Sequence, residues 1–106
     1  MERLQFELEC GSGDAAPAAP PVLVGVVASG NLEVLVEAGA TAGRCQVTVA
    51  TSVRGFGSTW RAVLEDFAAR HRPSGLVFSV NDAGATPAVV SLRLDQAVEA
   101  FRGDRR

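Results

Sequence analysis

The side chains of this chain that could do chemistry are few and widely spaced. Ser29 stands in the stretch VGVVASGNLEVLVE between Ala28 and Gly30, where no bulky neighbour covers its hydroxyl. A lone serine without a base is a poor nucleophile, yet it is an adequate acceptor when another enzyme supplies the activation. A Ser-Gly pair between two extended runs is also ordinary turn chemistry, so composition by itself assigns Ser29 no function. His71 is the single histidine; it closes a helical pattern and suits a boundary residue over the core better than a general base. Cys10 and Cys45 have no CxxC spacing and no histidine nearby in sequence, so no metal site is expected. Glu65-Asp66, and Glu33 with Glu37, read as solvated faces of a helix and a strand. The chain contains no GxSxG elbow, no Walker-type glycine loop and no paired Cys and His.

The elements that must position that serine follow from hydrophobic period. Leu4, Phe6 and Leu8 alternate with polar residues, as a half-buried strand does. Residues 11–21, GSGDAAPAAPP, hold Pro17, Pro20 and Pro21 and show no apolar period, which predicts a flexible surface linker. Val22 to Glu37 reads as a hairpin whose two arms meet at a tight turn over Ser29-Gly30-Asn31, followed by a loop that ends near Gly43. Cys45, Val47 and Val49 alternate in a further strand expected to join the hairpin as a meander. Arg54-Gly55-Phe56-Gly57 breaks it, and Ser58 occupies a helix N-cap position. Trp60, Val63, Leu64, Phe67 and His71 then share one helical face that ends before Pro73. Leu76, Phe78 and Val80 mark another strand, which stops at Asn81-Asp82-Ala83-Gly84. Thr86-Pro87 is an N-cap with proline at the first helical position. Val90, Leu94, Ala97, Val98 and Phe101 form the face of the helix that follows, up to Gly103. The expected fold is α+β, a two-layer sandwich in which a mainly antiparallel sheet of about four strands carries two helices on one face.

Composition narrows the function classes. A chain of 106 residues, 47% hydrophobic and 21% charged, is a single folded domain over 1–106, not a disordered tail. The net charge is −2 and the ten basic residues are scattered arginines, so no basic stripe for nucleic acid is present. Apolar runs fall far short of the roughly 20 residues of a membrane span. The start MERLQFELEC lacks the pattern of a secretory signal, which favours a cytoplasmic setting and reduced thiols.

The run SGNLEVLVE, then QVTVATSV, then NDAGATPAVVSLRLDQAVE resembles the acyl-carrier (delta) subunits of malonate decarboxylases. More distantly, Asp82, Gly84, Ala85 and the Leu92-Arg93-Leu94 step are similar to the gamma subunits of citrate lyases. The chain departs from the malonate carriers at Ala28, where Gly is usual, and at Asn31, where Asp is usual. In both families the matched serine bears a prosthetic arm. The resemblance therefore implies a 2'-(5''-triphosphoribosyl)-3'-dephospho-CoA group, a phosphoribosyl-dephospho-coenzyme A arm, joined to Ser29 through a phosphodiester. It implies arm contacts at Ala28, Gly30, Asn31, Asp82, Gly84 and Ala85. The loop of Asn81 to Pro87 reads first as an ordinary capped turn, with Asp82 and Thr86 satisfying local amides, and second as a helix-start phosphate site at the Gly84 and Ala85 amides if the loop lies beside the Ser29 tip. It implies a non-catalytic carrier of malonyl and acetyl thioesters. The implied partners are an acetyl-carrier:malonate transferase subunit, carboxyltransferase-like decarboxylase subunits, a malonyltransferase and the enzyme that attaches the arm. Carriers of the fatty-acid type are helical bundles with an Asp-Ser-Leu step, and this chain has neither. A reading of a different class, a small α+β ligand-binding or oligomerising regulatory module without a covalent arm, stays open on the residues alone.

Overall fold

Strict alternation of apolar and polar residues builds the sheet, because side chains on a strand point to opposite faces. The computed structural model describes residues 1–11, 16 and 18–103. Its strands are β1 (Glu2–Glu9), β2 (Val22–Gly25), β3 (Leu32–Ala38), β4 (Arg44–Thr51) and β5 (Leu76–Asp82), with helices α1 (Gly57–His71) and α2 (Pro87–Arg102). The five strands form one sheet in the order β1-β4-β5-β3-β2. All neighbours are antiparallel except β4 and β5, which run parallel. The α+β architecture is the one the period predicts, and both arms of the hairpin count as strands, which brings the number to five.

The meander does not form. β5 lies between β3 and β4, pairing Val36 with Phe78 on one side and Val47 with Phe78 on the other. The reason is connectivity: two parallel neighbours need a crossover, and α1 between β4 and β5 supplies it. Phe78 thereby sits mid-sheet with no exposure. The edges fall to β1, rich in charge, and to β2 with its four residues, both of which discourage further pairing.

One face of the sheet is covered. Leu32, Val34 and Val36 of β3, Cys45, Val47 and Val49 of β4, and Leu76, Phe78 and Val80 of β5 are buried there. α2 lies over β2 and β3 and packs against α1, which reaches β1. The Arg61 guanidinium stands 5.1 Å above the Phe6 ring across that contact. Trp60, Leu64 and Phe67 of α1 and Val90, Leu94, Val98 and Phe101 of α2 are buried as their spacing requires, while Val63 packs half-buried at the margin. The helix ends follow local chemistry. Thr86 caps α2 by accepting the Val89 N–H with Pro87 next, and α1 stops at Arg72, which takes a left-handed φ of 48° before Pro73. Ser58 does not cap α1. The helix begins one residue earlier, at Gly57, with the Phe56 carbonyl accepting the Trp60 N–H at 2.9 Å, which places Ser58 inside the first turn.

The linker expected at 11–21 falls partly outside the described residues. Of those described, Ala16 and Ala19 pack against the core, and Ala16 passes so close to Gly75 that a Cβ there would stand 2.6 Å from its backbone nitrogen. Cys10 and Cys45 are free, buried and in contact at this end of the sheet. Burial pushes both thiols above their ordinary 9.0, so they stay protonated at neutral pH.

Two outcomes follow. Phe67 has no exposure and meets Phe78 edge-on, ring centroids 5.3 Å apart, so Phe67→Ala is expected to cost about 3–5 kcal/mol in denaturant unfolding, whereas Leu92→Ala, at a half-exposed site, costs under about 0.5 kcal/mol. Native Cys10 and Cys45 are expected to resist iodoacetamide at pH 8 and to react on unfolding. Since the folded state raises both thiol pKa values, stability declines as pH climbs past 9.0; a Tm rising across that range contradicts the assignment.

Candidate functional site

Ser29 sits on a β-turn of Ala28 to Asn31, closed by the Asn31 N–H donating to the Ala28 carbonyl at 2.8 Å. Gly30 takes the third position with φ of 75°, which costs glycine nothing and a side-chain-bearing residue a strained backbone. Nothing lies within 4 Å of where a Gly30 Cβ would stand, and Ser29 is exposed. Among the described residues, no group bonds its hydroxyl. Ala28, Gly30 and Asn31 are thus gathered around Ser29 by the turn itself.

The arms part sooner than a tight hairpin allows. β2 ends at Gly25 and β3 starts at Leu32, leaving Val26 and Val27 exposed in the loop between. Gly25 explains the break. Its φ is 85°, and a Cβ at that position would come within 2.3 Å of the Leu32 carbonyl oxygen. The strand therefore turns out of register where only glycine fits.

A second loop, from β5 to α2, holds this tip in place. The Gly30 N–H donates to the Ala83 carbonyl at 2.8 Å, and the Ala83 N–H donates to the Asn31 carbonyl at 3.0 Å. The loop of Asp82, Gly84 and Ala85 thus does lie beside the tip. Its amides, however, are not free for a phosphate. Asp82 accepts from the Gly84 N–H at 3.2 Å, from the Ala85 N–H at 2.9 Å and from the Thr51 hydroxyl at 2.8 Å. The carboxylate is buried and already occupies the place an anion would take, which favours the capped turn at Gly84 and Ala85 over the helix-start phosphate site. Beyond it an apolar pocket of about 290 Å³ opens between the starts of α1 and α2, walled by Val53, Phe56, Trp60 and Val90 and floored by Asp82.

Two residues of the site carry no local sign of their role. Thr51 is 31 residues from Asp82 and meets it only because β4 and β5 end side by side. Arg93 stands in the Leu92-Arg93-Leu94 step, and α2 brings its Nε to the Asn31 Oδ1 at 3.1 Å. His71 is elsewhere. It closes α1, a helix of 15 residues and so about 22 Å long, with its ring on Phe67 and its Nε2 2.9 Å from Asp95. It faces no path to Ser29. The arrangement offers an exposed hydroxyl on a fixed turn, and among the described residues no side chain bonds it to serve as a base. Among the described residues no cluster of His, Cys, Asp and Glu could hold a metal ion, and no helix is long and apolar enough to cross a membrane.

The Asp82 node is open to test. Asp82→Ala strands a hydroxyl and two amides, and is expected to destabilise the fold by about 1–3 kcal/mol and to speed hydrogen exchange at Gly84 and Ala85 but not at Phe78. Unaltered exchange at both amides contradicts the capping role.

Comparison with known proteins gives a consistent answer. The family model described as malonate decarboxylase delta subunit (MdcD), an acyl-carrier family, matches residues 20–101. Malonate decarboxylase acyl carrier proteins are similar over nearly the whole chain: that of Xanthomonas campestris pv. campestris is 52% identical over 97% of both chains. That of Acinetobacter calcoaceticus is 51% identical over 98% of this chain and 100% of its own length. Among solved structures, a chain from the crystal structure of a Pseudomonas malonate decarboxylase hetero-tetramer in complex with malonate superposes with a TM-score of 0.82 at 40% identity, covering 95% of this chain and 99% of its own. With a match to most of its length and a shared fold, the chain belongs to the family of malonate decarboxylase acyl-carrier (delta) subunits.

Proposed function

We propose that Ser29 is the attachment point of the prosthetic arm and that the chain is a non-catalytic carrier. The observation that supports this most directly is the state of the Ser29 hydroxyl: exposed, beside open space over Gly30, and bonded to no described group. A phosphodiester at that oxygen meets no wall. The turn suits a phosphoribosyl-dephospho-coenzyme A group, because the space over Gly30 is open to a bulky nucleotide. When bound, that group supplies the thiol on which malonyl and acetyl units travel as thioesters.

The chain's own residues do three things in this reading. The Ala28 to Asn31 turn presents the oxygen, Gly30 keeps its approach clear, and the bonds to Ala83 hold the root of the arm still. With His71 at the far end of α1, proton removal from Ser29 falls to the attaching enzyme. The reactions at the thioester fall likewise to partner active sites. The similar Pseudomonas chain comes from a hetero-tetramer, which supports partners of the same kind here: a transferase subunit that exchanges acetyl for malonyl and a carboxyltransferase-like decarboxylase pair. A malonyltransferase and the attaching enzyme act in passing, and the setting is cytoplasmic. The apolar pocket beside Asp82 is what a non-covalent ligand-binding module would use, and intact mass separates the two readings.

Coexpression with the attaching enzymes is expected to add a nucleotide-sized mass to the wild-type chain. Ser29→Ala should unfold at the wild-type temperature, since an exposed turn hydroxyl without a partner contributes under about 0.5 kcal/mol, yet lack the added mass and all malonate-dependent turnover in the reconstituted complex. The added mass persisting in Ser29→Ala overturns the assignment.

A further inference from the structure

We propose that Arg93 is the phosphate-binding residue of the Ser29 site, contacting the phosphodiester that joins the arm to the serine; this rests on the arm reading above. The need for such a residue comes from the backbone. A diester on Ser29 brings a full negative charge to the tip, and the nearby amides are committed: Gly30 donates to Ala83, Asn31 to Ala28, and Gly84 and Ala85 to Asp82. These four peptide N–H groups are therefore not available to neutralise it.

Arg93 is placed to do so. Its Nε donates to the Asn31 Oδ1 at 3.1 Å and its Nη1 to the Gln96 Oε1 at 2.9 Å. Both acceptors are neutral amide oxygens, so neither pairs the guanidinium with a negative charge, and among the described residues its Nη2 has no partner. The acidic groups close by are engaged elsewhere. Glu33 accepts from the Asn81 side chain at 2.9 Å, and Asp82 is buried against Thr51 and its own loop.

The position is also pre-set. Asn31 Oδ1 accepts the Leu32 N–H at 2.8 Å as well, which fixes the amide that in turn fixes Arg93. The Arg93 stem crosses Gly25, its Cδ 3.3 Å from where a Cβ would stand, so the missing side chain of Gly25 opens its route to the tip. A guanidinium held in place at Nε and Nη1 still has the Nη2 hydrogens to donate to a phosphate oxygen. Such a contact anchors the root of the arm through charge, while Ser29 anchors it covalently.

The test compares the apo chain with the arm-bearing chain, loading on Ser29 being established first by intact mass. The Arg93 Nε–H resonance is expected to shift on loading and its exchange with water to slow several-fold, while the Arg61 Nε–H, held over Phe6, stays in place. In loaded Arg93→Gln the 31P resonance of the protein-linked phosphate should move, and in Arg93→Lys it should lie between the two. A loaded Ser29 with an unmoved Arg93 Nε–H overturns this inference alone. A wild-type chain that gains no mass on Ser29 overturns the arm reading, and the Arg93 assignment with it.

Discussion

A buried carboxylate is costly unless donors surround it, and Asp82 at the end of β5 has them: the Thr51 hydroxyl and the amides of Gly84 and Ala85. That requirement shapes everything nearby. The two amide bonds curl the chain from β5 toward α2, and the Thr51 bond ties the end of β4 to the end of β5. The curled loop presents both polar groups of Ala83 to the neighbouring hairpin, where Gly30 and Asn31 take them. The serine turn is thus fixed by a group it never touches. A loop of Ser29 type with no such bonds would open at little cost, since few apolar contacts hold it.

The fold is polarised along its strands. At one end stand Ser29, the β5–α2 loop, the apolar pocket and the starts of both helices. The other end is closed on itself. Gly75 donates to the Arg44 carbonyl, Gly43 to the Ser74 hydroxyl, and Cys10 to the Gly43 carbonyl, while Arg102 donates to the carbonyls of His71 and Arg72 that end α1. Asp95 joins His71 and Arg70 there, and the Arg70 guanidinium, bonded first to Asp66, is held above its ordinary range. Exposed Val26, Val27, Val53 and Phe56 all belong to the Ser29 end. Bonded closure is concentrated away from the proposed attachment site, and these exposed apolar side chains lie at the end that carries the serine.

What could be read from the chain and what could not divides by distance in sequence. The core faces of both helices were legible because Trp60, Leu64 and Phe67, or Val90, Leu94 and Val98, repeat at helical spacing, and period records burial directly. The α2 start was legible because Thr86-Pro87 is a local signal. Ser58 misled because serine favours both caps and first turns, and the Phe56 carbonyl settled the start one residue earlier. Strand order was beyond the period: nothing local states that β5 enters between β3 and β4. The same limit hid Thr51 and Arg93, whose partners lie 31 and 62 residues away. At Gly84 and Ala85 the sequence admitted both a capped turn and a phosphate site, and the side chain of Asp82, two or three residues back, takes their amides.

A tethered group works by replacing diffusion with effective concentration, which falls roughly as the −3/2 power of tether length once the span is reached. Motion at the root acts as extra tether. A serine on a loose loop would enlarge the volume the thiol explores without bringing it nearer to any site. The Ala83 bonds and the capped loop remove that freedom, while the space over Gly30 stays open to the proposed arm. A two-stranded tip on a packed sheet meets both demands, because the register of β2 with β3 and of β3 with β5 fixes the root on two sides. With an arm on Ser29 as proposed, the rigidity of the sheet becomes a property of the arm, and the mobility such a carrier needs resides beyond the Ser29 oxygen.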